Sequence, residues 1–330
     1  MTTEKKNASL KNRLATNHPN QISMNRCSFF LLLFLLTAAA PPLRAQTDTL
    51  PPFGGIVLDD STYATAGEPQ EVNRSSPPGG KKSLFGKAGI IPFNQRCELS
   101  CGSCAVTAAV MVRLLIYCNG HCKCNLPMRV FSWSFLHNQL VKMYGLDNIR
   151  LKNVLDLLKL QGIPLADTFS NTPCSHDRLP NGQDRSNAAH FQNWTYQPIF
   201  RAKKNIPGSP EQKEDRFREQ LVPKTIAWID YNIPVIVGLL VTDNFRSLTP
   251  QNCLWKAPTP LAGAKGHALL VMGYDDTTEE FEVLNSYDTG WGCRGVARIG
   301  YADYTRVVQE GYVIKFDFDS GKKVKCPNRP

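Results

Sequence analysis

The 330-residue sequence has no hydrophobic run long enough to cross a membrane as a helix. Its longest apolar stretch, from Phe29 to Ala40, has about a dozen residues, whereas a spanning helix needs about 20. No cysteine follows this stretch as a lipid attachment site would require, because Cys27 precedes it. We therefore predict no stable membrane insertion, and a membrane anchor is the alternative interpretation of this segment.

The sequence also lacks clustered positive charge, although its 38 basic residues outnumber its 28 acidic ones. No basic run is interleaved with aromatic residues, the pattern typical of nucleic-acid-binding proteins. No segment is repeated, which excludes solenoids and propellers. The chain is thus of the ordinary globular class, and its 42% hydrophobic content is enough for one or two domains. We predict no nucleic-acid partner.

The segment from Met24 to Gln46 is typical of a signal peptide. Arg26 precedes the apolar stretch, two prolines follow it, and we expect cleavage near Ala45. We assign residues 1–45 to the signal peptide, with Met24 as an alternative start of translation. Its removal lowers the formal charge from +10 to +5, because it carries six basic residues and one acidic residue. We therefore expect a secreted or periplasmic protein, in which disulfides are permitted.

Residues 46–86, here called the leader, are rich in proline, glycine, serine and threonine. This composition predicts a leader or pro-segment and a flexible linker, with "SSPPGGKKS" at residues 75–83 as the least structured piece. The more apolar "FGGIVLDDSTYA", at residues 53–64, is compatible with an edge strand, a pro-segment or a disordered leader.

Helix signals precede strand signals in the rest of the chain. Residues 105–117 are almost entirely apolar and predict a helix buried on nearly all sides. Further helices are predicted at 132–145 and 151–162, each ending at a glycine that suits a C-cap, and a charged helix beyond Gln212. Residues 171–207 show no periodicity and predict a long excursion.

Five strands are predicted after this excursion, at 233–241, 267–274, 280–287, 295–301 and 311–318. Helices followed by strands predict an α+β fold with two packed lobes.

Two of these strands bring a histidine and an asparagine together. A hairpin centred on Asp276 would place His267 directly opposite Asn285, with their Cβ atoms about 5 Å apart. Asn285 ends the apolar face of its strand, where a partly buried polar group needs a partner. A histidine oriented by an asparagine is half of a catalytic triad, and a satisfied structural pair is the alternative.

The missing half is a nucleophile, and the sequence "NQRCELSCGSCAVTAAV" at residues 94–110 offers three cysteines. A cysteine in the first turn of a buried helix suits this role, because the helix dipole and a nearby imidazolium favour the thiolate. Cys104 directly precedes the apolar run, and we predict that it begins the helix.

At these residues the sequence resembles the papain family of cysteine peptidases, specifically a secreted bacterial branch. The matching motifs are "SCGSC" at residues 100–104, "GHALLVMGYD" at 266–275 and "NSYDTGWGCRGVARI" at 285–299. The resemblance covers about residues 92–318. It implies a papain-like two-lobe fold in residues 87–330, with a helical lobe at about 87–201, a β lobe at about 212–318 and the active site in the cleft between them.

The resemblance also implies the roles of site residues. Cys104 would attack the peptide carbonyl, His267 would exchange the proton and Asn285 would orient the imidazole, giving a thioester acyl-enzyme. Gln95 would supply the oxyanion hole. The substrates would be peptides or proteins, with no cofactor and no metal, and the chain would act as a monomer. Cys101 would pair in a disulfide, as the equivalent cysteine does in many relatives.

The chain departs from the family pattern near the nucleophile. The family glutamine precedes the nucleophile by six positions, whereas Gln95 precedes Cys104 by nine. Counting six from Gln95 reaches Cys101, which is therefore the alternative nucleophile. Tyr287 and Ala105 stand where the family has tryptophan. These departures motivate a rival hypothesis, a catalytically impaired papain-fold protein that acts as an extracellular binding module.

The other cysteines leave further alternatives. "CNGHCKC" at residues 118–124 has ligand types suitable for structural zinc, although export favours disulfides. Cys253 and Cys293 are disulfide candidates. With one thiol reserved for catalysis, an odd number of mature cysteines remains, so at least one of them is predicted to stay unpaired.

Overall fold

The computed structural model describes residues 56–88, 92–96, 99–121 and 131–316. The predicted signal peptide lies outside these residues, as do residues 46–55 of the leader. None of the helices in the described part has the length and hydrophobicity that a membrane span needs.

Eight α-helices lie within the described residues: α1 (Asp60–Ala64), α2 (Phe85–Ala88), α3 (Cys101–His121), α4 (Trp133–Tyr144), α5 (Leu151–Gln161), α6 (Gly182–Ala189), α7 (Pro210–Asp230) and α8 (Tyr301–Val307). Helices α4 and α5 end at Gly145 and Gly162, both at positive φ, which confirms the predicted C-caps. The predicted charged helix corresponds to α7, which Ser209 caps at its N-terminus.

The described strands are β1 (Lys81–Ser83), β2 (Trp194–Pro198), β3 (Val235–Val241), β4 (Leu254–Trp255), β5 (Lys265–Asp275), β6 (Glu280–Leu284), β7 (Val296–Gly300) and β8 (Val308–Phe316). They form one sheet in the order β2-β8-β3-β5-β6-β7-β4, and β1 pairs with β5. Every pairing is antiparallel except that of β4 with β7. The five predicted strands are therefore confirmed, and the α+β class with them.

The central helix is α3, which packs against β5, α4 and α5. Its residues 101–112 are all buried, as the apolar run predicts. The helix begins at Cys101, however, three residues before Cys104. Its first turn consists of small residues, so the apolar pattern alone places the start too late.

The leader is part of the fold. Leader residue Tyr63 is buried, and its hydroxyl donates to the backbone carbonyls of Phe200 and Gly311 at 3.0 Å. The prediction of a flexible linker at residues 75–83 is wrong, because Ser76 is hydrogen-bonded to Asp230 and residues 81–83 form β1. Backbone pairing and a buried carboxylate outweigh the local turn-forming composition here.

The unperiodic excursion also contributes to the sheet. It contains α6 and β2, and β2 pairs along its whole length with β8. Strand β2 thus belongs to the sheet, although its residues fall within the range of about 87–201 that was predicted for the helical lobe. Cys253 and Cys293 form a disulfide, which confirms their candidacy and ties β4 to the segment before β7. Cys174 is disulfide-bonded as well.

Candidate active site

The predicted histidine–asparagine pair is present. His267, on β5, lies 2.9 Å from the Asn285 side-chain oxygen through its Nε2 atom. An amide oxygen only accepts hydrogen bonds, so Nε2 carries the proton. Both residues are buried, His267 completely and Asn285 at 3% exposure.

The predicted register of this hairpin is wrong, although the contact forms. Leu270 pairs with Leu284, and a bulge shifts the register between Val271 and Gly273. Continuing the pairing would set Asn285 opposite residue 269, two positions from His267 on the same face of the strand. The side chains therefore meet diagonally, at a spacing that side chains of this length can bridge.

Aromatic rings enclose the imidazole. The ring centroid of His267 lies 5.4 Å from that of Tyr287 and 5.8 Å from that of Phe245. Trp291 packs against both of these rings, at 5.6 Å from Tyr287 and 4.9 Å from Phe245. Tyr287, which stands where the resembled family has tryptophan, thus covers one side of the imidazole. Phe245 was not predicted, because it lies 22 positions before His267 and carries no motif.

Burial controls the charge of this histidine. Desolvation lowers the pKa of His267 to about 4; the hydrogen bond to Asn285 raises it in part, and the nearby Arg246 guanidinium lowers it further. The imidazole is therefore neutral at physiological pH in this structure.

Cys101 is the cysteine at the start of α3, and it lies against the histidine strand. Burial raises the pKa of the Cys101 thiol to about 12, and hydrogen bonding from the backbone of Ala268, the residue after His267, and of Gly102 and Cys101 lowers it only in part. Cys101 is a thiol here, so the disulfide that the resemblance implied for it is not present.

Cys104 lies one turn further along α3. Its backbone N–H bonds to Ser100 in the helical pattern, and its sulfur lies 3.8 Å from the Ser100 hydroxyl. Its side chain lines a small cavity together with Phe93, Ala268 and Asn285. The prediction that Cys104 begins the helix is therefore wrong, although Cys104 and Asn285 line the same cavity.

Gln95 is fixed against the segment that follows β6. Its backbone N–H donates to the carbonyl of Ser286 at 3.0 Å, and the Ser286 hydroxyl donates to its side-chain oxygen. It is completely buried. Gln95 precedes Cys101, the residue at the helix start, by six positions, which is the spacing that the resemblance implies between the glutamine and the nucleophile.

The leader covers this site. A Cβ atom on Gly102 would come within 3.0 Å of Ile56 Cδ1, and one on Gly266 would overlap the Ile56 carbonyl oxygen. Ile56 therefore packs between the residue after Cys101 and the residue before His267. The two glycines permit this close approach, and neither the thiol nor the imidazole is exposed.

The described residues contain no group of three or more side chains suited to a metal. The zinc alternative at residues 118–124 cannot be compared with this result, because those side chains lie outside the described part of the chain.

Solved structures with a similar fold are cysteine proteases. Xylellain, a cysteine protease from Xylella fastidiosa, matches with a TM-score of 0.56 and 18% identity over 76% of this chain and 94% of its own. The digestive procathepsin L2 proteinase of the Tenebrio molitor larval midgut matches with a TM-score of 0.58 and 16% identity over 80% of this chain and 78% of its own.

This chain has a papain-like fold. A third match, proCathepsin B S9 from Trypanosoma congolense, has a TM-score of 0.52 and 13% identity over 79% of this chain and 85% of its own. No protein-family model matches the sequence, and no curated protein matches it. The papain-like fold thus confirms the predicted two-lobe α+β architecture, whereas the secreted bacterial branch stays a prediction.

Proposed function

We propose that this protein is a cysteine peptidase whose nucleophile is Cys101, rather than the Cys104 that the sequence favours. The observation that carries the proposal is that Ile56 packs against both Gly102, which follows Cys101 at the start of α3, and Gly266, which precedes His267. This packing supports a reaction centre that consists of a thiol at a helix N-terminus and a neighbouring imidazole, which Asn285 orients. The papain-like fold supports the same reaction class.

In the proposed reaction, His267 takes the proton of Cys101 and the resulting thiolate attacks the peptide carbonyl. Because Nε2 is bonded to Asn285, the proton exchange is assigned to Nδ1. The imidazolium then protonates the leaving amine, and water hydrolyses the thioester. The Gln95 amide and the backbone N–H of Cys101 are the proposed oxyanion donors, each worth about 3–4 kcal/mol in comparable enzymes.

We assign the leader the role of a cover. With Ile56 in place, burial favours the neutral forms of both Cys101 and His267, so the reactive ion pair is suppressed. Displacement of the leader would hydrate both groups and allow the ion pair to form. The proposed substrates are peptides or proteins that enter the space the leader occupies, in a protein that we propose to be secreted and monomeric.

The test compares Cys101→Ala with Cys104→Ala, both in the full chain carrying Ile56→Gly to loosen the leader. We expect Cys101→Ala to abolish peptide hydrolysis, a loss of at least about 10³-fold, and Cys104→Ala to retain it. An epoxide inhibitor followed by peptide mapping should label Cys101 alone. Labelling of Cys104 would move the nucleophile there, and the absence of both labelling and hydrolysis would favour the binding-module alternative.

A further inference from the structure

A second pocket lies beside the end of β8 and has a volume of about 380 Å³. One side of it is formed by leader residues 70–73, and the other side by Trp228, Tyr231, Ile233 and Lys315. None of these residues belongs to the candidate active site. The volume is within the range found for sites that bind small organic molecules.

Lys315 supplies the positive charge of this pocket. Its Nζ atom donates to the side-chain oxygens of Gln70 at 2.7 Å and Gln197 at 2.9 Å, and it lies 5.1 Å from the centroid of the Trp228 ring. All three partners are neutral. In the described part of the chain no carboxylate acts on this lysine, whose pKa is lowered by burial and by the nearby Arg113 guanidinium. An ammonium group has three N–H donors, so one of them remains for a ligand.

Arg113 adds a second charge that no acid offsets. Its Nη1 atom donates to the backbone carbonyl of Asn232 at 3.3 Å, between the pocket residues Tyr231 and Ile233. Desolvation lowers the pKa of Arg113, and no carboxylate among the described residues opposes that effect. Its Nε atom is buried without a hydrogen-bond partner in the same part of the chain. Two neighbouring cations that lack a counter-ion favour the binding of an anion.

Gln197 contributes another N–H group without an acceptor. Its Nε2 atom is buried and has no partner among the described residues, although its amide oxygen accepts from Lys315. Native proteins seldom leave such donors unsatisfied. Glu71 is the acidic residue in the described wall of the pocket, but its carboxylate pairs with Lys224 at 3.0 Å and its side chain is 75% exposed. The pocket therefore has a surplus of positive charge and of N–H donors.

The rest of the wall favours a flat apolar group. Tyr231 is 53% exposed, and Val72 and Ile233 line the pocket beside it. An inorganic anion would leave these side chains in water, whereas an aromatic ring would pack against them. The single ammonium group that lines the pocket matches the single negative charge of a carboxylate. A ring that carries a carboxylate thus satisfies both halves of the pocket.

We propose that this pocket binds a small aromatic carboxylate, with the carboxylate on Lys315 and the ring against Tyr231 and Ile233. The site takes no part in peptide hydrolysis, so the inference goes beyond the proposed function and does not depend on it. Because leader residues 70–73 form one wall, the site is complete only while this part of the leader is docked.

The first test compares phenylacetate with phenylacetamide, which has the same ring and no charge, by ligand-observed NMR titration of the wild-type full chain. We expect phenylacetate to bind with a Kd of about 1 mM or below, at least about tenfold tighter than the amide. Phenyl phosphate should bind no tighter than phenylacetate. Equal affinities for the acid and the amide, no binding of the acid at about 10 mM, or tighter binding of phenyl phosphate would overturn the inference.

The second test locates the site by substitution. Lys315→Met removes the charge at similar length, Lys315→Arg keeps the charge, and the matched control Lys142→Met removes a lysine charge from α4, outside the pocket. We expect the tighter binding of the acid to vanish in Lys315→Met and to persist in the other two variants. Tyr231→Ala should weaken phenylacetate binding at least about threefold by removing the aromatic wall.

The inference is wrong if the acid keeps its advantage over the amide in Lys315→Met, or if Lys142→Met loses that advantage equally. It is also wrong if Tyr231→Ala binds phenylacetate as the wild type does. Thermal melting of each variant checks that it is folded. Should Lys315→Met fail to fold, the wild-type comparison of acid with amide and the Tyr231→Ala titration still decide the outcome, because Tyr231 is largely exposed.

Discussion

The reactivity of Cys101 should depend strongly on Ile56. The thiolate is the reacting form, and burial raises the pKa of this thiol from 9.0 to about 12. At pH 8 a thiol with the ordinary value is about one-tenth ionised, whereas one at pKa 12 is ionised in about one molecule in 10⁴. Ile56→Gly should remove the side-chain packing over Gly102, reduce that over Gly266, where the backbone carbonyl of residue 56 stays in contact, and hydrate the sulfur. We therefore expect alkylation at pH 8 to accelerate by up to about 10³-fold.

The assay is iodoacetamide labelling of the native full chain between pH 5 and 10, with the cysteine peptides quantified by mass spectrometry. In the wild type the rate should rise about tenfold per pH unit across the range, because the thiol titrates above it. In Ile56→Gly, labelling should extend to neutral pH, because His267 regains its ordinary basicity and stabilises the thiolate. The matched control is Ile56→Val, which keeps a branched apolar side chain, and Cys104 is the internal control. If wild-type Cys101 reacts like an exposed thiol, or if the glycine and valine variants react alike, the reasoning is wrong.

Four further predictions concern single groups. Burial raises the pKa of Glu310, on β8, from 4.5 to about 8, so the folded chain holds its proton between these values and the wild type loses stability as pH rises through this window. Glu310→Gln should therefore gain up to about 5 kcal/mol of unfolding free energy relative to wild type between pH 4.5 and 8, measured by chemical denaturation. Replacing Cys253 and Cys293 by alanine should cost about 4 kcal/mol of unfolding free energy for a 40-residue separation, and an unchanged denaturation midpoint would contradict this. Tyr63→Phe should cost about 1–2 kcal/mol and hasten limited proteolysis of the leader, since it removes a buried hydroxyl that bonds two carbonyls. Asn285→Ala should lower kcat about 5- to 150-fold with little change in KM; a change in KM alone would argue against an orienting role.

The helices and strands were largely predictable because their signals are local. The apolar run of α3, the glycine caps of α4 and α5 and the alternating strands of the second half all depend on residues within a few positions of one another. The leader shows the opposite case. Its turn-rich composition predicts flexibility, yet Ser76 bonds to Asp230, which is 154 positions away. No local pattern reports such a partner.

The candidate active site divides in the same way. The meeting of His267 and Asn285 was predictable, because they lie 18 residues apart on consecutive strands and sheet geometry limits where each can be. Their exact register was not, because a bulge near Met272 changes the pairing without a clear mark in the sequence.

The sequence by itself determined the ingredients of the candidate site: a cysteine beside a buried helix, a histidine on a strand and an asparagine after the next strand, all recognisable from short segments. Tertiary structure alone decided which cysteine begins the helix and that Ile56 packs over it. The physical reason is that these features depend on where one lobe, the sheet and the leader meet, and each contact joins residues that the chain separates by tens or hundreds of positions.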